Sequence, residues 1–276
     1  MSIMPIVLTT DFGIEDPYVG VMKGVIYGIN PEALVIDHTH YVEPQNITHG
    51  SMLLSTSYIH FPSRTIHVAV VDPGVGTERS ALIIETPTAY LVGPDNGLFS
   101  GIVNEYLKES DRNTPSIIVP PECKAFRITN SEVFLTPTSD TFHGRDIFAP
   151  VGAHLSLGAS PSELGEPVDS MLGDVGLKLA ITPEKVIGRV IYIDHFGNLI
   201  TNIPNGTITE DENTLVEICG HRIGSIRRTF NDVGAMEPAE PFGLLGSNGY
   251  MEIVVPNGNA AQWLSASSGV QVIFYP

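Results

Sequence analysis

The first half of the chain alternates short β-rich runs with helical runs, and this order limits the possible folds more than any other feature of the sequence. "PIVLTT", "ALVID" and "TIHVAVVDPGVG" have the composition of strands. The intervening segments place apolar residues at helical spacing, and Asp16 and Pro17 provide an N-cap and a first helical residue for the first of them. Strands joined by helices pair in parallel through right-handed crossovers, so the pattern predicts an α/β domain.

The second part of the chain follows a different pattern. "GRDIFAPVGAHLSLG" predicts a last helix with Pro150 in its first turns, and residues 166–184 carry little pattern. Beyond them, runs such as "KVIGRVIYIDHFGNLITNI" and "GVQVIFYP" are short strands separated by Gly, Asn and Pro turns. We therefore predict an N-terminal, mainly parallel sheet flanked by helices in residues 1–165, a linker at 166–184 and a small antiparallel β-barrel domain at 185–276.

Charge and cysteine content restrict the partners and the compartment. The formal net charge of −17 repels phosphate backbones and anionic lipid, so we expect neither a nucleic-acid nor a membrane partner. No apolar run reaches the roughly 20 residues that cross a bilayer, and "MSIMPIVLTTDFG" lacks the basic region of a signal peptide. Cys123 and Cys219 match no zinc spacing and are too few for a disulfide framework, which favours a reducing cytoplasm.

Several common catalytic and binding patterns are missing from the sequence. It contains no GxxxxGK[ST], no GxGxxG opening a helix, no HExxH and no GxSxG. His38 and His40 flank Thr39, but an HxH pattern beside a single aspartate is not a complete set of metal ligands. We therefore expect no metal site, no nucleotide-phosphate loop and no requirement for a cofactor.

Acidic residues follow each of the first three predicted strands. In an open parallel sheet, ligands bind beyond the carboxyl ends of the strands. Asp11, Asp37 and Asp72 take these positions. A turn or a helix cap explains any one of them equally well, but their shared position predicts a site at this edge of the sheet.

Two further side chains extend this candidate site. Arg79 follows Asp72 by seven residues, so a turn could return it for a charge-assisted hydrogen bond, with an ordinary surface arginine as the alternative. The glycines in "DPGVGTER" allow such a tight turn. "TFHGRD", residues 141–146, presents His143 at the start of the last predicted helix, where a solvated histidine is the alternative.

Six motifs together resemble one family. "TTDFG", "VVDPGVGTER", "GPDNGL", "TFHGRDIFAPVGAHLSLG", "IDHFGNLITNI" and "GSNGYMEI" look like the S-adenosyl-L-methionine hydroxide adenosyltransferase family, which is related to fluorinating and chlorinating enzymes. The resemblance implies hydrolysis of S-adenosyl-L-methionine to adenosine and L-methionine, with water or hydroxide attacking the ribose C5′. It also implies an α/β domain followed by a β-barrel domain, and a homotrimer with active sites between neighbouring subunits.

The resemblance also implies catalytic roles for three residues. The family's water-positioning triad matches Asp72, Arg79 and His143. On this basis we expect Asp72 and His143 to accept hydrogen bonds from the attacking water, while Arg79 fixes the aspartate. The halogenating relatives carry an aromatic residue in place of Asp72 and a serine in place of Gly144, so halide transfer is disfavoured here. A carboxylate beside the reacting carbon would also repel a halide ion.

Substrate-binding roles are carried over from the same motifs. Asp11 matches the residue that holds the ribose hydroxyls, and Asp16 matches one near the methionine moiety. In the second domain, Asn198 and Phe196 of "DHFGN" suit the polar edge and the ring of adenosine, Glu252 suits the substrate ammonium, and the backbone near Val254 suits adenine. Asp194 and Ser247 are further candidates, and Phe230 is an additional stacking residue.

Two other functions remain open from the sequence. One is a halogenase that forms 5′-halo-5′-deoxyadenosine from the same substrate. The other is a binding protein that senses adenosine or S-adenosyl-L-methionine without turnover. The intact triad favours hydrolysis over both.

Overall fold

The computed structural model describes residues 4–208, 214–224, 226–229 and 240–276. The chain divides into a first compact unit that ends at Gly176 and a second that runs from Leu177 to Pro276. Within the stretch predicted as a linker, Gly165–Val168 and Ser170–Leu172 are strands of the first unit, and Ala180–Thr182 is a strand of the second. In the described part of the chain, no helix combines the length and the apolar composition that crossing a bilayer requires.

The first unit contains nine strands and five α-helices among its described residues. The strands are β1 (Ile6–Thr10), β2 (Val35–Thr39), β3 (Thr65–Val70), β4 (Ala81–Glu85), β5 (Ala89–Pro94), β6 (Ser116–Ile118), β7 (Lys124–Ile128), β8 (Gly165–Val168) and β9 (Ser170–Leu172). The helices are α1 (Tyr18–Ile29), α2 (Ile47–Ser57), α3 (Ser100–Val103), α4 (Ala149–Ser156) and α5 (Pro161–Leu164).

Seven of these strands form one sheet in the order β2-β1-β3-β5-β4-β7-β8, while β6 and β9 pair separately. Strands β1, β2, β3 and β5 are parallel, whereas β4 runs antiparallel to both of its neighbours. Side chains of β1 and β3 pack with α1 and α4 on one face, and α2 and α3 cover the other. Parallel sheets need both faces buried, which explains the nearly continuous apolar runs of the sequence. The predicted α/β class is confirmed.

The ends of the helices differ in detail from the prediction. Helix α1 begins one residue later than predicted, with Pro17 in the N-cap position in place of Asp16 and no side-chain hydrogen bond from the cap. The last predicted helix has two parts: Gly144–Phe148 is a π-helical turn, and α4 continues from Ala149 with Pro150 in its first turn. π-Helical turns occur often at functional sites.

The described residues of the second unit form one curled sheet and one short α-helix. Its strands are β10 (Ala180–Thr182), β11 (Lys185–Ile193), β12 (Leu199–Pro204), β13 (Leu215–Ile218), β14 (His221–Ile223), β15 (Ile226–Arg227), β16 (Phe242–Leu245), β17 (Tyr250–Val254) and β18 (Gln271–Tyr275), and its helix is α6 (Ala260–Leu264). The strand order is β14-β13-β18-β11-β12-β17-β16-β15, with β10 beside β11. All these pairs are antiparallel except β15 with β16. The sheet encloses its own apolar core, as the prediction of a small β-barrel domain requires.

The order β3-β5-β4 determines where the first predicted catalytic residues lie. Because β5 lies between β3 and β4, the chain that leaves β3 must pass the end of β5 before it enters β4. Residues 71–80 make this connection, and they contain the whole "DPGVGTER" segment. The segment therefore lies at the carboxyl edge of the parallel strands, where ligands bind in such sheets.

Candidate active site

Asp72 and Arg79 form a two-point ion pair. The Arg79 Nε atom donates to Asp72 Oδ1 at 2.9 Å, and Nη2 donates to Oδ2 at 2.5 Å. Their side chains are 5% and 9% exposed, so water screens the pair little. A guanidinium and a carboxylate in this arrangement fix each other's orientation as well as their charge. The predicted return of Arg79 to Asp72 is confirmed.

The turn between these two residues is held at both ends by the exit of β5. The Asn96 side chain donates from Nδ2 to the Val71 carbonyl oxygen at 2.8 Å, and the Asp95 amide donates to the Ser80 carbonyl oxygen at 2.9 Å. Sequence reasoning used "GPDNGL" only as part of the resemblance and assigned Asn96 no role. Its place directly after a strand was the available signal.

His143 contacts the same guanidinium from the other side of the site. Its Nδ1 atom lies 2.7 Å from Arg79 Nη2. Arginine carries only hydrogen-bond donors, so Nδ1 must accept, and the proton of the neutral ring is then on Nε2. Burial, followed by the positive charge of Arg79, lowers the pKa of His143, while the carboxylates of Asp72, Asp146 and Asp140 act in the opposite direction.

These contacts correct one expectation for His143. Since Nδ1 is occupied by Arg79, the remaining ring nitrogen is Nε2, which in the neutral ring is a donor. We expected His143 to accept a hydrogen bond from the attacking water. The tautomer that the Arg79 contact selects instead leaves the ring with a hydrogen-bond donor at Nε2.

The segment that carries His143 is anchored on a buried carboxylate. Asp146 Oδ2 accepts from the backbone amide and the hydroxyl of Ser139, both at 2.8 Å, and the Ser139 hydroxyl accepts from the Phe142 amide at 3.1 Å. Arg145 donates to both oxygens of Asp146. Burial raises the pKa of Asp146, but the bonds from Arg145 and Ser139 outweigh it, and the net pKa is lowered. Asp146 and Arg145 thus shape the entrance to the helix.

A cavity of about 400 Å³ lies at this edge of the sheet, within the range of small-molecule sites. It brings together the side chains of Asp11, Asp72 and His143. Asp11 Oδ2 accepts from the Gln45 amide at 2.8 Å. Burial raises the pKa of Asp11 despite hydrogen bonds that oppose the shift, and the charge of Asp72 adds to the increase. Asp16 is exposed and lies outside the residues that line this cavity.

Aromatic side chains form a wall of the same cavity. The rings of Phe12, Tyr18 and Phe142 contact one another with centroids 5.2–5.8 Å apart. Gly144 packs against them: a Cβ there would lie 3.2 Å from the Phe142 ring and 3.3 Å from the sulfur of Met22. A side chain at position 144 would therefore require Phe142 and Met22 to shift by a few tenths of an ångström. Sequence reasoning did not identify Phe12 or Tyr18, because apolar residues beside a strand end are usually part of the core.

The third predicted carboxylate at the strand ends does not join the cavity. Asp37 and His38 lie within β2, and Asp37 pairs with Lys23 at 2.7 Å and with His40 at 2.9 Å. Hydrogen bonds from Lys23 and His40 outweigh burial and lower the pKa of Asp37. The presence of a nearby lysine on α1 explains this separate ion pair.

In the second unit, Asp194 organises the turn between β11 and β12. Its Oδ1 accepts from the amides of Phe196 and Asn198 at 2.9 and 2.8 Å, and its Oδ2 accepts from Asn198 Nδ2 at 2.9 Å. Asn198 is buried, whereas Phe196 is 73% exposed. The turn thus presents an aromatic ring to the outside of this unit.

The other candidates of the second unit lie on or beside β17. Burial raises the pKa of Glu252, and the charge of Asp194 adds to the shift. Burial, followed by Glu252 and Asp194, also raises the pKa of Tyr192 to about 12, so these three side chains form one cluster. Ser247 is exposed in the turn before β17, and the Val254 side chain is buried in the core. Phe230 lies outside the described residues.

The fold and this cavity define a two-unit protein of the α/β class with a candidate active site at the carboxyl ends of parallel strands. The model of the SAM hydroxide adenosyltransferase N-terminal domain matches residues 6–165, and that of the C-terminal domain matches residues 188–273. The chain belongs to the S-adenosyl-L-methionine (SAM) hydroxide adenosyltransferase family, as the resemblance predicted.

Individual relatives agree with this assignment. The chain is 36% identical to the (R)-S-adenosyl-L-methionine hydrolase of Thermus thermophilus, over 97% of this chain and 98% of that protein. It is 37% identical to the protein of the same name from Methanocaldococcus jannaschii, over 94% and 91%. A fluorinase of Nocardia brasiliensis is 23% identical, over 97% and 95%. A crystal structure of an uncharacterized conserved protein from Thermotoga maritima superposes with a TM-score of 0.85 at 36% identity, over 98% and 100%.

Proposed function

We propose that this protein hydrolyses S-adenosyl-L-methionine to adenosine and L-methionine. Relatives that carry the name (R)-S-adenosyl-L-methionine hydrolase share 36–37% of its residues over nearly the full length. The observation that carries the proposal is the contact of Arg79 with both Asp72 and His143 beside a cavity of substrate size. The sequence lacks a GxGxxG that opens a helix, a GxxxxGK[ST] and a GxSxG, which are typical of hydride transfer with a dinucleotide, of phosphate transfer and of acyl transfer.

The reaction forms one C–O bond and breaks one C–S bond. The oxygen of water bonds to the ribose C5′, the C5′–S electron pair stays on sulfur, and the sulfonium becomes the neutral thioether of methionine. One proton of the water is released. Because a neutral thioether is a good leaving group, no acid has to protonate it. The protein's task is to align water and the C–S bond at roughly 3 Å and to exclude other water.

The triad offers a definite hydrogen-bonding pattern for that water. The Asp72 carboxylate accepts one water hydrogen, and the Nε2–H group of His143 donates to one of the two oxygen lone pairs. The other lone pair is then left to face C5′. Arg79 holds both neighbours in place, and its positive charge favours hydroxide character in the attacking oxygen as the proton leaves.

Substrate binding divides between the two units. In the first, Asp11 is suited to the ribose hydroxyls as a double acceptor, and Asp16 is retained as a weaker candidate near methionine. In the second, Asn198, Phe196 and Val254 would meet adenosine, and Glu252 would meet the substrate ammonium with Asp194 and Ser247 beside it. We include in this proposal a homotrimer with active sites at the subunit interfaces; Phe196 is 73% exposed in the single chain, which leaves its ring accessible to a neighbouring subunit.

We further propose that the protein works in the cytoplasm without a metal or organic cofactor. Both cysteines are free, as suits a reducing compartment. Native mass spectrometry tests the trimer: a mass of three chains supports it, and a monomer that turns over substrate contradicts it.

Incubation with S-adenosyl-L-methionine in ¹⁸O-labelled water, with fluoride and chloride present, tests the reaction. Hydrolysis at C5′ predicts adenosine with the label in its 5′ oxygen and unlabelled methionine. A 5′-halo-5′-deoxyadenosine would instead establish the halogenase, and bound but intact substrate would establish a sensor. Asp72 disfavours the halogenase, because its carboxylate only accepts hydrogen bonds and therefore cannot donate one to a halide ion.

A further inference from the structure

The contact between Arg79 and His143 joins two segments that are far apart in the sequence. Arg79 belongs to the connection between β3 and β4, and His143 belongs to the segment that leads into the π-helical turn. Their hydrogen bond is only as well defined as the placement of these two segments against each other. Neither side chain can provide that placement, because each is carried by the backbone of its own segment.

Gly76 lies at a close contact between the two segments. Its φ angle is +76°, in the left-handed region that glycine adopts without strain. A Cβ on Gly76 would overlap the carbonyl oxygen of Asp140, three residues before His143. The partner is backbone rather than a flexible side chain, so a side chain at position 76 must push the segments apart. Two separate features therefore require glycine at this position, namely the positive φ angle and the close approach of Asp140.

Ser139 holds the same segment from its other side. Its amide and hydroxyl both donate to the buried carboxylate of Asp146, and its hydroxyl receives the Phe142 amide. The segment from Ser139 to His143 is thus held between the Gly76 backbone and the Asp146 carboxylate. None of these groups has to touch the substrate to affect the geometry of His143.

We propose that Gly76 and Ser139 are positioning residues that set the distance between Arg79 and His143. The proposal deepens the proposed function, since it concerns the same catalytic cluster. It gives Gly76 of "DPGVG" and Ser139, which precedes "DTFHGR", roles that act through His143. Loss of either contact would let His143 move away from the guanidinium while the substrate-binding carboxylate of Asp11 stays in place.

Gly76→Ala tests the close approach, and two other glycines are matched controls. At Gly74, in the same turn, φ is not in the left-handed region and an added Cβ would meet neighbours at ordinary distances of 3.5–3.9 Å. At Gly158, φ is +97° but nothing lies within 4 Å of an added Cβ. Gly74→Ala thus controls for substitution in the turn, and Gly158→Ala controls for backbone strain alone. Ser139→Ala tests the second anchor without adding atoms near Gly76.

The first readout is NMR titration of the His143 ring without substrate. Burial and Arg79 lower the His143 pKa in the native protein, so we expect Gly76→Ala and Ser139→Ala to raise it toward the ordinary value of about 6.5. We expect Gly74→Ala and Gly158→Ala to leave it unchanged. A His143 pKa that stays at the native value in folded Gly76→Ala and Ser139→Ala proteins would overturn the proposal. If Gly76→Ala does not fold, Ser139→Ala alone decides the outcome.

The second readout is steady-state hydrolysis of S-adenosyl-L-methionine. We expect kcat to fall about 10- to 100-fold in Gly76→Ala with KM changed less than about threefold, since small displacements of a catalytic group have effects of this size. A rise in KM at unchanged kcat would contradict a positioning role. If the native protein does not hydrolyse the substrate, the proposed function fails, but the NMR titration still decides whether Gly76 and Ser139 position His143.

Discussion

Arg79 donates to Asp72 and to His143 at the same time, and its bond to His143 Nδ1, 2.7 Å long, spans 64 residues of sequence. One guanidinium therefore fixes the orientation of the carboxylate and the tautomer of the imidazole together. The three side chains act as a unit, so changes at any one of them should alter the other two.

Two substitutions of His143 distinguish a hydrogen-bond donor from a general base at this position. His143→Ala should lower kcat/KM by about 10²- to 10³-fold, the usual effect of removing one positioned hydrogen-bond donor. His143→Gln carries an amide N–H that can approach the place of Nε2–H but cannot take up a proton. We therefore expect at least about tenfold higher activity in His143→Gln than in His143→Ala, measured as kcat/KM. Equal activities of the two variants would favour a base at this position.

Replacing Arg79 should affect both stability and titration. Arg79→Met leaves the nearly buried carboxylate of Asp72 without its partner, which typically costs about 3–5 kcal/mol of unfolding free energy. It also removes a positive charge that lowers the His143 pKa, so that pKa should rise. Urea denaturation and NMR titration measure the two effects. Arg127→Met, at an exposed residue of β7, is the matched control and should change neither.

Glu252 offers a test of the second unit. If this carboxylate meets the substrate ammonium, Glu252→Gln should raise KM about tenfold or more, as for loss of a charge-assisted hydrogen bond, while kcat changes little. The pKa of Glu252 is raised by burial and by Asp194, so native KM should improve as the pH rises through that pKa. Initial rates at several pH values measure this dependence. Glu184→Gln, at an exposed residue before β11, should retain native KM.

Two buried histidines of the first unit predict a pH dependence of stability. Burial lowers the pKa of His49 and of His67 to about 4, and Nε2 of His67 has no hydrogen-bond partner among the described residues. The unfolded chain then binds more protons than the native protein between pH 6.5 and about 4. The contribution of each neutral histidine to the unfolding free energy should accordingly be complete above pH 6.5 and decrease as the pH falls toward 4. At pH 4 the loss should be on the order of 3 kcal/mol per histidine.

His67→Phe tests the source of this dependence. Denaturant titrations between pH 7 and pH 4 should show a shallower fall for this variant than for the native protein. His60 is exposed, and His60→Asn serves as the control with a native slope. A His67→Phe protein whose stability declines as steeply as the native one would show that other groups dominate.

The sequence was sufficient to predict the architecture and to single out three side chains that the structure brings into contact. Strand and helix periodicity led to the α/β unit because its apolar runs are long and regular, and the resemblance identified Asp72, Arg79 and His143. The tautomer of His143 was beyond reach, since it depends on a hydrogen bond between residues 64 positions apart. Asp37 shows the opposite error: its place near a strand end suggested the site, but Lys23 on α1 supplied a nearer partner.

The packing around the cluster was equally hidden in the sequence. The sequence predicts Gly76 as a turn glycine, which its φ angle of +76° confirms, but its contact with the Asp140 carbonyl depends on how two loops meet. Phe12 and Tyr18 gave no signal separate from ordinary core residues. Helix α1 begins at Tyr18, one residue beyond the predicted start, because Pro17 and not Asp16 occupies the capping position.

The crossing of β5 by the connection from β3 to β4 has a practical consequence for engineering. Hydrogen bonds from Asn96 and Asp95 hold the two ends of this connection. Both residues lie outside the connection, so these hydrogen bonds do not depend on the residues between its ends. With Gly76 kept, because a side chain there would overlap the Asp140 carbonyl, residues 73–75 and 77–78 can therefore be randomised or exchanged while the framework keeps its shape. A library confined to these five positions would vary the surroundings of Asp72 and Arg79 without changing the hydrophobic interior.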